Sequence, residues 1–330
     1  MIGKRKLGGR AVNPVGLGCM TLSWAYGTPP ERADSARLLH QALDLGYDHL
    51  DTANIYGLGH NETLIGEVLK ERRDEFFLAT KMAIVVDGPN RGIDCSPESI
   101  RRSIDESLTR LQTDRVDLYY MHRFDPKVPI ADSMGAMAEL VQAGKIGGVG
   151  VSEWSAAHIR EAHSHHPLTA VQTEYSLWTR NPEIAVLDTC RELGIAFVAF
   201  SPVGRGALAG GVRDVDALPE KDIRRGMPRF QGDNWPKNLA LIDAFAAIAA
   251  REGLTPAQLS LAWVHASGDH VVSIPGTTVP DHLAENIARW DYVLSAELKA
   301  ELEALINRHT VSGPRYAAMM QGTIDTEEFA

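Results

Sequence analysis

The sequence has few cysteines, no long apolar run and no excess of positive charge. Its three cysteines, Cys19, Cys95 and Cys190, lie far apart, which favours reduced thiols over a disulfide framework or a metal site. No apolar run approaches the roughly 20 residues of a membrane helix, and no apolar stretch typical of a signal peptide follows the charged N-terminus. The formal net charge of −10 argues against nucleic acid or an anionic membrane as a partner. We therefore expect a cytoplasmic protein.

What the sequence does contain is a regular alternation of short apolar strands and amphipathic helices, which predicts a parallel sheet with crossover helices. Residues 4–13, with Gly8-Gly9 at their centre, predict a β-hairpin before the first of these units. Eight strands are predicted after it, at residues 14–18, 48–51, 76–81, 116–122, 146–152, 169–173, 195–201 and 270–274. A long loop is expected after the third strand, and a stretch rich in Gly, Arg and Pro, 204–236, follows the seventh.

Eight strand–helix units predict an α/β protein with one (β/α)8 TIM barrel over 1–330, whose N-terminal hairpin plugs the barrel bottom. The competing doubly wound sheet would place a Gly-x-Gly-x-x-Gly turn after an early strand. Gly16-Leu17-Gly18 is the nearest match, but Thr21 stands where the third glycine would be. The strand count therefore favours the barrel.

Polar residues at the predicted strand ends suggest a chemistry, because active sites of such barrels lie at the carboxyl ends of the strands. Reduction of a carbonyl by hydride needs a proton donor, and the ordinary pKa of tyrosine is about 10. An ammonium beside Tyr56 would stabilise its phenolate, and Lys81 can supply it. Asp51 would pair with Lys81, because a lone buried ammonium is costly. His122 would donate to the carbonyl oxygen and orient it.

The motifs at these strand ends, taken together, resemble the aldo-keto reductase family, specifically its bacterial and potassium-channel-β-subunit-like members. The matching stretches are Gly46-Tyr47-Asp48-His49-Leu50-Asp51-Thr52-Ala53 with Tyr56-Gly57, Ala79-Thr80-Lys81, Asp117-Leu118-Tyr119-Tyr120-Met121-His122, Gly144-Lys145-Ile146 with Gly150-Val151-Ser152, Val171-Gln172-Thr173-Glu174-Tyr175-Ser176, Ser201-Pro202 with Gly204, and Ile274-Pro275-Gly276-Thr277 with Glu285-Asn286. Their order and spacing cover nearly the whole chain, from about Val15 to Asn286.

The resemblance implies NADP(H)-dependent reduction of an aldehyde or ketone, with NAD(H) as an alternative cofactor. It implies a catalytic tetrad of Asp51, Tyr56, Lys81 and His122, in which Tyr56 is the general acid. The implied cofactor contacts are Ser152 and Gln172 on the carboxamide, Tyr175 stacked under the nicotinamide, Ser201, Pro202, Gly204, Gly206 and Leu208 at the pyrophosphate, and Ile274, Gly276, Thr277, Thr278, His282, Glu285 and Asn286 towards the adenosine.

The chain departs from the family pattern at three places. Glu153 stands where an asparagine often follows the serine of the fifth strand, and Asp48 stands where an arginine is common. Gly276 and His282 occupy the positions of the Lys and Arg that grip the 2′-phosphate of NADP in other members. Since an anion needs positive charge or oriented N–H groups, the sequence does not settle which nicotinamide cofactor is preferred.

Other features leave alternatives open. The run His163-Ser164-His165-His166 is interpreted as a solvated loop, and no metal site is expected. Trp24, Tyr26 and Trp154 either line an aromatic substrate pocket or simply pack. The basic loop 223–230 either covers a cofactor phosphate or is solvated.

Two other functions compete with carbonyl reduction: a cofactor-binding regulatory protein that senses redox state, and a lyase that uses Lys81 as a Schiff base. The expected partner is a small carbonyl compound. The physiological substrate, the role of the tail after Val311 and the formation of a homo-oligomer are left open by the sequence.

Overall fold

A computed structural model describes residues 3–88 and 90–329, and its centre is a closed barrel of eight parallel strands. The strands are β1 (Arg5–Leu7), β2 (Arg10–Val12), β3 (Leu17–Gly18), β4 (His49–Asp51), β5 (Phe77–Met82), β6 (Ile84–Asp87), β7 (Asn90–Ile93), β8 (Leu118–Met121), β9 (Val149–Ser152), β10 (Leu168–Glu174), β11 (Ala196–Phe200) and β12 (Val271–Ile274). The helices are α1 (Arg32–Asp44), α2 (His60–Leu69), α3 (Pro97–Leu111), α4 (Ile130–Gln142), α5 (Ala156–His165), α6 (Val186–Leu193), α7 (Asn234–Arg251), α8 (Pro256–His265), α9 (Pro280–Ala288), α10 (Ala296–Leu305) and α11 (Ala318–Gln321).

The barrel strands lie in the order β3, β4, β5, β8, β9, β10, β11, β12, and each neighbouring pair is parallel. The first and last strands close it through a parallel bridge between Val15 and Ser273. At this seam Gly16 N donates to Ser273 O at 2.8 Å. Gly18 lies so close to β12 that a Cβ atom there would be 2.7 Å from Ile274 O, so only glycine fits without a shift. The predicted TIM barrel is confirmed.

The predicted hairpin is also present, and it fills the amino-terminal end of the barrel. Strands β1 and β2 pair antiparallel, and their buried Leu7 and Val12 join the interior cluster that includes Phe77 and Ala196 from the strand starts. Arg5 anchors the hairpin by donating to the Val271 and His265 carbonyl oxygens. The bottom of the barrel is therefore closed, and the open mouth lies at the carboxyl ends of the strands.

Serine side chains cap the beginning of two helices. Ser96 caps α3 by accepting from Ser99 N at 3.3 Å, and Ser155 caps α5. Two segments differ from expectation. The loop predicted after β5 is a hairpin, β6–β7, and α7 begins at Asn234, inside the stretch expected to be irregular.

No helix among the described residues is both long and apolar enough to span a bilayer. No group of three or more His, Cys, Asp or Glu side chains is placed to hold a metal ion in the described part of the chain. His163 instead accepts a hydrogen bond from Leu168 N at 3.2 Å.

Candidate active site

Four polar side chains predicted at the strand ends meet at the mouth of the barrel. Lys81 from β5 forms an ion pair with Asp51 from β4, and its Nζ also donates to Thr52 O at 2.9 Å. The same Nζ donates to Tyr56 Oη at 3.3 Å. His122, directly after β8, places its ring 6.0 Å from the Tyr56 ring, edge to face. The structure therefore brings together all four residues of the predicted tetrad.

The electrostatics of this group keep Lys81 charged and Tyr56 protonated. Burial alone would lower the pKa of Lys81, but Asp51 and Tyr56 more than offset it, so its pKa lies above the ordinary value. Burial raises the pKa of Tyr56, and the Lys81 ammonium opposes only part of that rise. A Schiff-base lysine must be an uncharged amine to attack. The arrangement therefore favours a proton-donating tyrosine over a nucleophilic lysine.

His122 is held neutral at the same site. Burial, reinforced by the positive charges of Arg123 and Lys81, keeps the pKa of His122 well below its ordinary range. Its Nδ1 is buried and has no hydrogen-bond partner among the described atoms. A neutral imidazole still carries one N–H donor. His122 can therefore donate to a carbonyl oxygen beside Tyr56 without adding a charge.

The next two barrel strands place Ser152 and Gln172 beside the tetrad. Gln172 Nε2 donates to Asp51 Oδ2 at 2.8 Å, so this amide holds the carboxylate that pairs with Lys81. Ser152 is 1% exposed, and its hydroxyl oxygen has no partner in the described structure. Buried polar groups rarely lack a hydrogen bond, so this hydroxyl is available to bond a ligand.

The turn after β11 is tightly wound. Positive φ angles occur at Ser201 (50°), Gly204 (58°), Arg205 (58°) and Gly206 (85°). The N–H groups of Gly204, Gly206 and Leu208 donate to carbonyl oxygens of this same turn, and Pro202 has no N–H. In this conformation the three N–H groups stabilise the turn itself, and the contact of this turn with a pyrophosphate stays a prediction.

The residues predicted to lie near the adenosine form the connection from β12 into α9. Ile274 faces the barrel interior, and Gly276 approaches Gly18 so closely that a Cβ would lie 2.8 Å from Gly18 O. Thr277 accepts from Val279 N at 3.0 Å and lies 3.3 Å from Nδ1 of the exposed His282. Thr278 follows it, and Glu285 and Asn286 lie on α9, whose span has no Lys or Arg.

Tyr175 does not stack where the sequence predicts. Its side chain is 1% exposed and lies outside the barrel wall, against Phe197 and Trp263. Its hydroxyl is bonded to Glu183 at 2.7 Å and to Ser267 at 2.9 Å. Tyr175 is therefore a packing residue, and the predicted contact with the nicotinamide is wrong for this geometry.

Phe200 is an aromatic residue on the inner face of the barrel that sequence reasoning missed. Successive residues of a strand point to opposite faces, and in β11 Ala196 and Val198 belong to the interior cluster while Phe197 lies outside. The half-buried Phe200 packs against the interior cluster. The alternation within β11 is the signal that could have identified it.

The three aromatic residues expected at a substrate pocket have different positions. Trp24 and Tyr26 are half-buried in the loop after β3. Trp154 is 1% exposed and packs edge to face against Phe124, at 5.1 Å between ring centroids. The structure therefore keeps Trp24 and Tyr26 as rim residues and corrects Trp154 to a core position.

The arginine side chains of the basic loop 223–230 are hydrogen-bonded within the protein. Arg224 pairs with Asp222, Arg225 donates to carbonyl oxygens of residues 215, 216 and 218, and Arg229 donates to Trp178 O at 2.5 Å. These guanidinium groups hold the loop in shape.

A buried charge network also lies at the mouth, and the sequence did not reveal it. Arg315, from the C-terminal tail, pairs with Glu153 and donates to Glu174 at 3.0 Å. Arg205 donates to the same Glu174 carboxylate at 2.5 Å, and Tyr316 Oη donates to it at 3.0 Å. Arg315 and Tyr316 therefore tie the tail to the ends of β9 and β10, and Arg205, from the turn after β11, bonds the same Glu174 carboxylate. The local signal in the sequence is the pair of carboxylates at the ends of these strands, Glu153 after β9 and Glu174 as the last residue of β10.

The pKa of Glu174 shows how strong this network is. Burial alone would raise it, yet Arg205, Arg315 and Arg229 hold it below its ordinary value.

Further along the tail, two carboxylates cap a helix that is distant from them in the sequence. Asp325 accepts from Ser155 N and Glu327 accepts from Ala156 N, each at 2.7 Å, at the start of α5. The tail is thus an integral part of the barrel mouth.

Comparison with known proteins adds independent findings. The model of the Aldo/keto reductase family matches residues 14–307. A glycerol dehydrogenase from Gluconobacter oxydans is 28% identical over 96% of this chain and 99% of its own, with a TM-score of 0.83. An aldo-keto reductase from Bacillus halodurans, in its holo form, is 29% identical over 93% and 97%, with a TM-score of 0.76. An aldo-keto reductase from Klebsiella pneumoniae, in complex with NADPH, is 26% identical over 96% and 99%, with a TM-score of 0.72.

Proposed function

Because the chain belongs to the aldo/keto reductase family, we propose that it reduces an aldehyde or ketone to an alcohol with NADPH, with Tyr56 as the proton donor. The observation that carries this proposal is the contact of Tyr56 Oη with the charged, Asp51-paired Lys81, beside a neutral His122. The family resemblance inferred from the strand-end motifs is confirmed by the match over residues 14–307.

The residues at the mouth fit a nicotinamide cofactor. The unpartnered Ser152 hydroxyl could accept or donate a hydrogen bond to the carboxamide, and the Phe200 ring, facing inwards, offers a surface on which the nicotinamide could stack. When bound, NADPH supplies the hydride. The Klebsiella pneumoniae relative was solved with NADPH, which supports the same choice here.

The chain's own residues would orient the carbonyl and supply the proton. His122 donates a hydrogen bond to the carbonyl oxygen and keeps it beside Tyr56. Tyr56 Oη transfers its proton to that oxygen as negative charge develops on it, and the Lys81 ammonium stabilises the resulting phenolate. Asp51 keeps Lys81 in place and is itself held by Gln172. Hydride and proton together complete the conversion of C=O to CH–OH.

Substituting Tyr56→Phe tests this role. We expect kcat to fall by about 10²- to 10⁴-fold, as for loss of a general acid, while NADPH still quenches tryptophan fluorescence with nearly unchanged affinity. Tyr292→Phe is the matched control, since Tyr292 contacts Arg289 and lies in no part of the proposed site. Turnover retained in Tyr56→Phe would remove the tyrosine from the mechanism.

A further inference from the structure

Arg123 follows His122 directly and places a guanidinium against the backbone of this tetrad residue. The side chain is half-buried at the carboxyl end of β8. Its Nη1 donates to His122 O at 2.6 Å, which is the only hydrogen bond of its side chain in the described structure. Among the described side chains, no carboxylate lies within ion-pair distance of it. Within the described part of the chain, this positive charge therefore has no negative partner.

This lack of a partner distinguishes Arg123 from other arginines at the mouth. Arg205 pairs with Glu174, and Arg315 pairs with Glu153. The nearest carboxylate in sequence, Asp125, accepts from Cys95 N and Lys127 N, each at 3.0 Å, so both its oxygens are engaged. Since half-buried charge is costly unless paired, the guanidinium of Arg123 is suited to an anion that arrives from outside.

The positive charge of Arg123 acts on two residues of the tetrad, His122 and Tyr56. It contributes more than Lys81 does to lowering the pKa of His122, and it also opposes the rise in the pKa of Tyr56. The hydrogen bond from Arg123 Nη1 to His122 O at 2.6 Å holds the guanidinium at the residue that would orient the carbonyl oxygen. An anion bound by Arg123 would therefore belong to the same molecule as the carbonyl.

We propose, on the basis of the function proposed above, that Arg123 determines specificity by binding a carboxylate of the substrate. The substrate class is then a carbonyl compound that carries a carboxylate a few bonds from its C=O. The planar guanidinium suits this group, because two parallel N–H donors match the two carboxylate oxygens. In a protein of net charge −10, such a compound would otherwise be repelled at long range.

The test compares two aldehydes that differ only in this charge, 4-oxobutanoate and its methyl ester, with NADPH oxidation followed by absorbance. In Arg123→Gln we expect the ratio of kcat/KM for the acid to kcat/KM for the ester to fall about tenfold or more, mainly through KM for the acid. Arg123→Lys should restore part of the ratio, since it keeps the charge but loses the planar fork. The ester measured in the same variant accounts for any general damage to the fold.

Lys127→Gln is the matched control, because Lys127 is an exposed cation four residues away on the same loop. It should keep the wild-type ratio, and a fall equal to that of Arg123→Gln would replace the specific contact by a general field effect. An unchanged ratio in Arg123→Gln contradicts this inference alone. A wild-type protein that reduces the ester at least as well as the acid also contradicts this inference, whereas failure to oxidise NADPH with any aldehyde or ketone tested would contradict the proposed function.

Discussion

Removing Arg315 should destabilise the protein through the two carboxylates that it neutralises. Arg315→Met leaves Glu153 without its guanidinium partner, although Thr326 Oγ1 and Glu174 N still donate to it. Glu174 loses one donor but keeps Arg205. The uncompensated charge on Glu153, whose side chain is fully buried, should dominate the loss.

The loss of stability in Arg315→Met follows from the burial of the Arg315–Glu153 ion pair. Breaking a buried ion pair by removing one partner costs about 3–5 kcal/mol. For a chain of 330 residues the unfolding entropy is about 0.7 kcal/mol per kelvin, so that loss corresponds to a melting temperature lower by about 4–7 °C. The double variant Arg315→Met with Glu153→Gln removes the stranded charge and should recover part of the loss.

Thermal unfolding followed by tryptophan fluorescence measures the effect, and hydrogen exchange localises it. The amides of Asp325 and Thr326 donate to Glu153 O, so their exchange should accelerate together in the single variant. Arg213→Met, in an exposed pair with Asp243, is the control and should not shift the melting temperature measurably. A single variant as stable as this control, or a double variant less stable than the single, would refute the reasoning.

Two further predictions concern the cofactor and the protonation states. Phe200→Ala should weaken NADPH binding by about threefold to tenfold, the value of an aromatic stacking contact, and unchanged quenching titrations would exclude stacking on this ring. Because burial raises the pKa of Tyr56 and lowers that of His122, the acid stays protonated up to its raised pKa and the imidazole stays neutral down to its lowered one. The kcat/KM for reduction should therefore be flat between about pH 6.5 and about pH 10, the ordinary values of the two groups. A half-point near pH 7.5 in a pH–rate series would contradict the direction for Tyr56 if the rate falls above it, and the direction for His122 if the rate falls below it.

The barrel and its tetrad were predictable because both depend on local patterns. Apolar strands alternating with amphipathic helices define the fold class, and the carboxyl ends of parallel strands meet at one rim. Knowing where β4, β5 and β8 end was therefore enough to bring Asp51, Lys81 and His122 together.

The direction of a side chain at a strand end was harder to predict, because one residue of register reverses it. In β10, the side chain of Gln172 contacts the tetrad and that of Glu174 contacts the charge network. Tyr175, one residue further, points away from the mouth and packs against Trp263. The sequence near Tyr175 contains nothing that fixes where the strand stops.

The contacts of the tail could not be predicted from sequence patterns at all. Arg315 and Glu153 are 162 residues apart, and no local periodicity links residues at that separation. Glu153 also adopts a positive φ of 60°, which is uncommon for its type. The sequence shows that Glu153 replaces the asparagine common at this position, but only the structure shows that Arg315 is its partner.

The closure of the barrel between its first and last strands affects how the chain folds. Val15 and Ser273 join the first and last barrel strands across most of the chain, and contacts of such long sequence separation form slowly because loop closure must precede them. Until they form, β3 and β12 are free edges that can pair with another molecule. We therefore expect aggregation during refolding to compete with barrel closure, and dilute protein to refold in higher yield than concentrated protein.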